Sequence, residues 1–193
     1  MSNEFFAMIS RMKYIDRWAL MRNTDRESLS QHSFEVAVMA HALAVISNER
    51  LGTDLNADRA AVLGLFHDAS EILTGDMPTP VKYYNEDIRQ AYKEVEKTAE
   101  RKLLTMMPED MQKDYESVLM KAEPDKDLWP LVKAADKISA LIKCIEEEKA
   151  GNKEFIKAKE STEAAIHALD CKAAELFLDD FMDSYSLTLD QLQ

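Results

Sequence analysis

The sequence contains only four histidines, so each can be considered separately as a metal ligand. His67 is followed directly by Asp68, and this pair ends the apolar stretch 60–66, where an unpartnered charge would be costly. His32 lies upstream, and Asp136 interrupts an apolar helical pattern downstream. Two imidazoles and two carboxylates form a mixed nitrogen and oxygen set that suits manganese, iron, cobalt, nickel or zinc. Four protein ligands leave positions open on a six-coordinate ion, which is typical of a catalytic site.

Three more residues could do chemistry beside such an ion. Glu71 follows Asp68 by three residues, on the same side of a helix, and could take or give a proton; the alternative is a solvated surface acid. Arg17 carries a planar fork of donors that suits phosphate, unless it is a loop arginine paired with Asp16. Trp18 could pack against a sugar or simply fill the core.

The two remaining histidines do not extend this set. His41 lies nine residues after His32, so the two side chains face opposite sides of one helix, and we expect His41 to be packed in the core. His167 lies in a charged C-terminal segment and is expected at the surface. The sequence therefore favours one metal ion over two.

The elements that must position these residues are predicted to be helices. Ser28 and Gln31 form a capping-box pattern, Pro130 suits the first turn of a helix, and two prolines and a glycine within 74–80 predict a loop. The predicted helices are a short one after Asn3, then 28–48, 56–73, 85–106, 109–121, one from Pro130 to the break at Gly151, and a long last helix over 153–183. The fold class is all-α, as a single helical bundle over 1–193, with the site between about 17 and 136 and the last helix packed on it.

Length and composition agree with one globular domain and exclude several classes of function. The 193 residues are 46% hydrophobic and 31% charged, with a formal net charge of −12. Such a negative surface argues against nucleic acid or an anionic membrane as a partner. The longest apolar run, 36–46, is too short to span a bilayer, and the N-terminus does not resemble a signal peptide. Two cysteines without a disulfide framework fit a reducing, cytoplasmic setting.

A longer motif surrounds the histidine and aspartate pair. Residues 67–80 follow the pattern His-Asp-x-x-Glu-x-x-x-Gly-Asp-x-Pro-Thr-Pro, and Arg17-Trp18 stands upstream. With His32 and Asp136 this pattern resembles the H…HD…D signature of the HD-domain metal-dependent phosphohydrolases. The resemblance is closest to the bacterial HD-domain 5′-deoxynucleotidases and extends over nearly the whole chain.

The resemblance implies an HD-domain bundle, a homodimer and specific roles for the site residues. The ligands of one divalent ion, most often cobalt, with manganese or zinc as alternatives, would be His32, His67, Asp68 and Asp136. The catalytic residues would be Glu71, Arg17 and Asp68. The residues in contact with the substrate would be Arg17, Trp18, Asp68, Asp76, Met77, Pro78, Thr79 and Asp136.

The implied reaction is hydrolysis of 2′-deoxyribonucleoside 5′-monophosphates to a deoxynucleoside and phosphate. An aromatic wall at Trp18 would leave a ribose 2′-hydroxyl unpaired, at a cost of roughly 1–3 kcal/mol, and so favour deoxyribose. Two alternatives stay open: a phosphohydrolase acting on a triphosphate or modified nucleotide, and a non-catalytic domain that binds nucleotides.

Overall fold

A computed structural model describes residues 3–82 and 84–192, with Thr79 described by its backbone alone. No strand forms within these ranges, and Asp16 and Ser28 make one isolated antiparallel bridge. The all-α prediction is confirmed. The helices in the described ranges are α1 (Phe5–Ile9), α2 (Leu29–Leu51), α3 (Ala57–Phe66), α4 (Glu71–Thr74), α5 (Thr79–Lys82), α6 (Glu86–Leu104), α7 (Glu109–Leu119), α8 (Trp129–Lys149), α9 (Ile156–His167) and α10 (Lys172–Phe181).

The main apolar core lies between α2, α3 and α8, and α10 closes it from the other side. Both predicted start signals are present: Ser28 caps α2 in a complete capping box, and Pro130 occupies the first turn of α8. The apolar positions of α8 are buried in this core, as their spacing predicts. Gly64 lets α2 and α3 approach closely, because a Cβ atom there would lie 2.9 Å from the Cα atom of Ala37.

A second, smaller core supports the segment that carries the histidine and aspartate pair. Phe5, Leu103, Met107 and Leu119 pack there around Ala69, which is almost fully buried. Because Ala69 directly follows Asp68, packing against α1, α6 and α7 fixes the position of that carboxylate.

Two predicted helices are shorter in the structure. The helix expected to reach residue 73 ends at Phe66, because tighter three-residue hydrogen bonds follow, from the N–H of Ala69 to Phe66 and from that of Glu71 to Asp68. The last helix, expected over 153–183, breaks between α9 and α10. Asp170 adopts a left-handed conformation there, with φ 51°, which aspartate tolerates better than most residues.

Two smaller expectations were also wrong. His41 is exposed, with its Nε2 atom 3.7 Å from Asp58 on α3, because its face of α2 lies outside the core. The loop predicted over 74–80 ends early, since α5 begins at Thr79 and Pro80 is acceptable in a first helical turn.

His167 is exposed, as predicted, and its Nδ1 atom lies 2.8 Å from Glu175.

The helix α2 is long and apolar enough to cross a membrane by length and composition alone. Half of its most apolar 18-residue window is buried inside the fold, so part of its apolar surface is used in packing against other helices.

A buried ion pair ties α8 to the irregular segment 15–28 that precedes α2. The Glu147 carboxylate is 1% exposed and accepts the backbone N–H groups of Thr24 and Asp25, together with the amide of Asn152. Lys143 donates to this carboxylate and to the carbonyl oxygen of Asp25. Burial alone would raise the pKa of Glu147, but these donors outweigh it and lower the pKa to about 2.

The substitution Glu147→Gln is expected to lower the free energy of unfolding by about 3 kcal/mol at pH 7, because folding lowers the pKa of the Glu147 carboxyl from 4.5 to about 2. The folded-state pKa is depressed, so this contribution is complete above the usual pKa of 4.5 and is lost as pH falls towards 2. Urea unfolding at pH 7, 4 and 3 should therefore show the gap between variant and parent closing in acid. The exposed neighbour Glu146→Gln is the control, and a gap independent of pH would contradict the assignment.

Candidate metal centre and phosphate site

Three helices bring the four predicted metal ligands to one place. His32 projects from the first turn of α2, His67 and Asp68 follow the end of α3, and Asp136 lies in the second turn of α8. One ligand atom from each of the four lies within 4.8 Å of every other. Residues separated by up to 104 positions in sequence therefore meet in a space that suits one ion.

The distances show how closely the side chains converge. His32 Nε2 lies 3.3 Å from Asp136 Oδ1 and 3.7 Å from Asp68 Oδ2, and His67 Nε2 lies 2.9 Å from Asp68 Oδ2. Both Nε2 atoms are buried and lack a hydrogen bond of acceptable geometry. Buried polar atoms are seldom left so, and two orphaned ring nitrogens beside two carboxylates are what a divalent cation would complete.

The other nitrogen of each imidazole is already occupied, which sets the tautomer. His67 Nδ1 lies 2.7 Å from the carbonyl oxygen of Gly64, so it carries the proton. His32 Nδ1 lies 3.0 Å from the hydroxyl of Ser139, which itself donates to Glu35 at 2.8 Å and must accept from the imidazole. Both rings therefore direct an Nε2 lone pair towards the cluster.

The protonation states of three of these residues suit cation binding. Burial, and then the nearby Arg17, lower the pKa of His32 to about 4, so its ring is neutral at pH 7. Burial alone would raise the pKa of Asp68, yet His67 outweighs it and lowers the pKa to about 2. The pKa of Asp136 is likewise lowered well below its usual value, by His32 and Lys137 against the effect of burial.

His67 is different, since Asp68 raises its pKa although burial would lower it. In the absence of an ion the ring holds a proton more firmly than usual. A cation at Nε2 would take the place of that proton, so we expect binding to release protons.

Glu71 begins α4 and is 5% exposed. Burial first, and then the carboxylates of Asp68 and Asp76, raise the pKa of Glu71 to about 9. At neutral pH this side chain is a protonated acid beside the cluster. Its predicted alternative, a solvated surface acid, is excluded by its burial.

Arg17 and Trp18 lie on the segment 15–28, and Arg17 is close enough to the cluster to interact electrostatically with Asp68 and Asp136. The Arg17 side chain is 13% exposed, and its Nη1 atom lies 3.6 Å from Glu27 Oε1 without making a hydrogen bond. Burial would lower the pKa of Arg17, but Glu27 and then Asp136 and Asp68 raise it. A guanidinium with an Nη1 group that makes no hydrogen bond therefore lies within the electrostatic field of Asp68 and Asp136, two of the predicted metal ligands. The pairing with Asp16, weighed above, does not occur; Arg26 contacts that residue instead.

The segment between α4 and α5 contains the remaining predicted contacts. Asp76, Met77 and Pro78 are each partly buried, and Asp76 influences both Arg17 and Glu71 electrostatically. Burial raises the pKa of Asp76, and Arg17 counters this effect. The side chain of Thr79 lies outside the described part of the structure.

Three buried or half-buried residues around the site were missed by the sequence reasoning. Ser139 follows Asp136 by three residues and Glu35 follows His32 by three, so helical spacing alone could have indicated both. Glu27 lies in a segment without periodicity, and no sequence signal marks it.

Solved structures with this architecture include HD-domain phosphohydrolases. One from Listeria innocua has a TM-score of 0.82 and 23% identity, with 94% of this chain and 88% of that chain covered. The HD phosphohydrolase of cyanophage S-2L, solved with dA and one catalytic Zn²⁺ ion, has a TM-score of 0.64 and 16% identity, with 94% and 96% covered. At these identities the likeness establishes the fold, which is that of the HD-domain phosphohydrolases.

Sequence relatives define the family more narrowly. Residues 4–185 match the profile of the YfbR-like 5′-deoxynucleotidases. A 5′-deoxynucleotidase of Photobacterium profundum is 47% identical over 190 residues, with 98% of both chains covered. The 5′-deoxynucleotidase YfbR of Escherichia coli is 46% identical over the same length, with 98% of this chain and 96% of that protein covered. The chain belongs to the YfbR-like 5′-deoxynucleotidase family.

Proposed function

We propose that this enzyme hydrolyses 2′-deoxyribonucleoside 5′-monophosphates to a deoxynucleoside and inorganic phosphate. The family supplies the reaction class. The observation that carries the assignment of residues is a buried arginine with an unused donor, fixed beside four side chains that converge as metal ligands. A site of this composition suits a phosphate group that bridges a cation and a guanidinium.

The proposed metal ligands are His32, His67, Asp68 and Asp136, through two imidazole nitrogens and two carboxylates. A divalent ion bound there supplies Lewis acidity, lowering the pKa of water to about 7 and neutralising charge on the phosphate. We propose Co²⁺ as the ion that best supports activity, as the family resemblance implies, with Mn²⁺ and Zn²⁺ as alternatives that the mixed donor set also suits.

The proposed substrate contacts divide by chemistry. Arg17 binds the phosphoryl oxygens, and Trp18 lies along the sugar, where no partner is provided for a 2′-hydroxyl. Asp76, Met77, Pro78 and Thr79 form the wall beside the nucleoside, and Asp68 and Asp136 approach the phosphate from the metal side.

The proposed proton movements use two carboxyl groups of opposite character. Asp68 is ionised, and its carboxylate would both help to hold the ion and accept a hydrogen bond that orients the attacking water. Glu71 holds a proton at neutral pH and gives it to the 5′ oxygen of the nucleoside as the water oxygen bonds to phosphorus and the bond from phosphorus to the 5′ oxygen breaks. The proton that the attacking water loses passes to solvent, and Glu71 takes up a proton from solvent once the products leave.

Phosphate release from dAMP and AMP tests this function directly. The protein is stripped of metal and then resupplied with cobalt, manganese, magnesium or zinc. We expect metal-dependent release from dAMP with AMP nearly inert. Release of tripolyphosphate from dATP, with dAMP unchanged, would instead indicate a triphosphohydrolase. Binding of dAMP without phosphate release under every ion would indicate a non-catalytic domain.

Ser139 is expected to tune metal affinity without touching the ion. The substitution Ser139→Ala removes the acceptor that fixes the His32 ring and should weaken metal binding by roughly 10–100-fold. Titration of the apoprotein with Co²⁺, followed by calorimetry, measures this effect, and Ser139→Thr should restore it. Ser47→Ala is the matched control, because Ser47 is another buried serine of the core, bonded only to a backbone carbonyl of α2. Unchanged affinity in Ser139→Ala would contradict the proposed role.

We propose that the enzyme is a homodimer. An exposed apolar surface, here called the α2–α3 face, is formed by Phe34, Val38 and Val45 on α2 and by Val62 and Leu65 on α3. Phe34 is 64% exposed, which is unusual for a side chain of that size unless a partner covers it. A second copy burying this face would remove it from water.

Light scattering of the purified protein tests this contact. The substitutions Val38→Glu and Val62→Glu place charge on the face from both helices and should convert a dimer into a monomer, with the fold intact by circular dichroism. Val95→Glu, on the exposed side of α6, is the control. A dimer that survives both substitutions would place the contact elsewhere.

We also propose that the chain is one domain in the cytoplasm. Ala173, Ala174 and Phe177 of α10 share a core with α2 and α8, which supports one cooperative unit. The two free thiols suit a reducing compartment. A single calorimetric unfolding transition and cell fractionation would test the two statements.

A further inference from the structure

Glu27 lies at the centre of the segment that carries Arg17 and Trp18. It is 8% exposed, although a carboxylate is costly to bury without partners. Its Oε2 atom accepts the indole N–H of Trp18 at 2.8 Å. Its Oε1 atom lies 3.6 Å from Arg17 Nη1 and 3.8 Å from His32 Nδ1. The two carboxylate oxygens therefore serve different partners, one on the sugar side and one on the phosphate side.

The main chain brings these residues together as well. The backbone N–H of Arg17 donates to the carbonyl oxygen of Glu27 at 2.9 Å, and the flanking residues Asp16 and Ser28 form the antiparallel bridge. Trp18 adopts a left-handed backbone conformation, with φ 58°, which is uncommon for a bulky residue and costs free energy. The indole hydrogen bond to Glu27 and packing on Phe155, with ring centroids 5.3 Å apart, hold it there.

Glu27 also keeps Arg17 away from the wrong carboxylates. Asp68, Asp76 and Asp136 all act electrostatically on the Arg17 guanidinium. A full ion pair with Asp68 or Asp136 would occupy oxygens that the metal needs. Glu27 offers Arg17 a counter-charge outside the predicted ligand set, at a distance of 3.6 Å that leaves Nη1 without a hydrogen bond and available to phosphate.

We propose that Glu27 is a positioning residue that sets deoxyribose specificity, by fixing the Trp18 indole and the Arg17 guanidinium in one geometry. This inference rests on the proposed function, since it assigns a sugar to Trp18 and a phosphate to Arg17. It adds a residue that contacts neither the substrate nor the ion, and the two oxygens of that residue couple sugar selection to phosphate binding.

Two substitutions distinguish the roles of the two carboxylate oxygens of Glu27. Glu27→Gln keeps an oxygen that can accept the Trp18 indole N–H, but removes the charge opposite Arg17. Glu27→Met removes both while keeping a similar side-chain length. We expect Glu27→Met to raise KM for dAMP and to lower the ratio of kcat/KM for dAMP over AMP, each by about tenfold, the effect of losing one or two hydrogen bonds. Glu27→Gln should recover the dAMP over AMP ratio while KM stays raised.

Tryptophan fluorescence reports the environment of the Trp18 indole without relying on catalysis. In a Trp129→Phe background, Trp18 is the one remaining tryptophan of the chain. Its emission maximum should shift in Glu27→Met and return towards the parent value in Glu27→Gln. If the parent enzyme released no phosphate, the proposed function would fail while the emission arm still tested the positioning of Trp18.

Three comparisons complete the test. In a Trp18→Phe background, Glu27→Met should leave the dAMP over AMP ratio unchanged, because the partner whose orientation matters is gone. Glu154→Gln is the matched control, since Glu154 accepts the backbone N–H of Arg22 in the same segment but lies outside the site. The bound metal per chain should stay at the parent value in every variant. An unchanged ratio and emission in Glu27→Met would overturn the proposal, as would equal losses of kcat for dAMP and AMP together with a lower Tm.

Discussion

Alanine at His67 or at Asp136 is expected to abolish metal binding and, with it, phosphate release from dAMP. Each residue offers one of four atoms that lie close enough together to hold one metal ion. Removing a ligand should weaken affinity well beyond the roughly 10–100-fold that follows loss of a hydrogen-bonding partner of a ligand. Asp136→Ala also leaves the buried His32 Nε2 without its nearest carboxylate, so a cation there would lose both charge neutralisation and a donor.

Metal content after dialysis, measured by mass spectrometry, gives the result independently of activity. The structure offers a matched control in the exposed pair His41 and Asp58, which joins α2 to α3 outside the site. His41→Ala and Asp58→Ala should keep one ion per chain. Retention of one ion by both His67→Ala and Asp136→Ala, with their helical content intact, would refute the ligand assignment.

The convergence of the four ligands was predictable in part because the sequence marks them locally. His67-Asp68 ends an apolar run, and Asp136 interrupts a row of apolar residues. A charged side chain at either place is costly unless it has a partner, which marks these residues as candidates for a site. The capping box at Ser28 fixes the start of α2 and hence the depth of His32. Helix starts have side-chain signatures of this kind, and they were predicted well.

Features that depend on tertiary contacts were not predictable in the same way. Asp170 breaks the last helix without a glycine or proline, so only the folded chain shows the break. The face of α2 that carries His41 could have been buried by any neighbour, and its exposure follows from where α3 packs. Glu27 contacts Trp18 and Arg17, which precede it by nine and ten positions. The chain between them is irregular, so no periodic pattern could have predicted these contacts.

The sequence motif determines which carboxyl groups lie close together, whereas the tertiary surroundings determine whether each of them is protonated. The motif places Glu71 three residues after Asp68, which indicates proximity but not protonation state. The fold buries Glu71 between two carboxylates, and that environment converts an ordinary acid, ionised at pH 7, into one that keeps its proton. Two carboxyl groups three residues apart thereby acquire opposite protonation states at neutral pH, Asp68 as an anion and Glu71 as a protonated acid.

Glu71→Gln is accordingly expected to lower kcat for dAMP by roughly 10²–10⁴-fold, the usual contribution of a positioned proton donor. Glutamine preserves the shape of the side chain and its ability to donate a hydrogen bond, but it has no proton to give to the departing 5′ oxygen. KM and metal content should stay close to their parent values, because the substituted atom binds neither the ion nor the phosphate.

Glu100→Gln is the matched control: Glu100 is a half-buried glutamate of α6 whose pKa is also raised by burial, and it lies outside the site. An unchanged kcat in Glu71→Gln would remove Glu71 from the reaction. Loss of the ion from that variant would instead make Glu71 part of the metal site, because a proton donor that does not touch the ion can be replaced by its amide without releasing it.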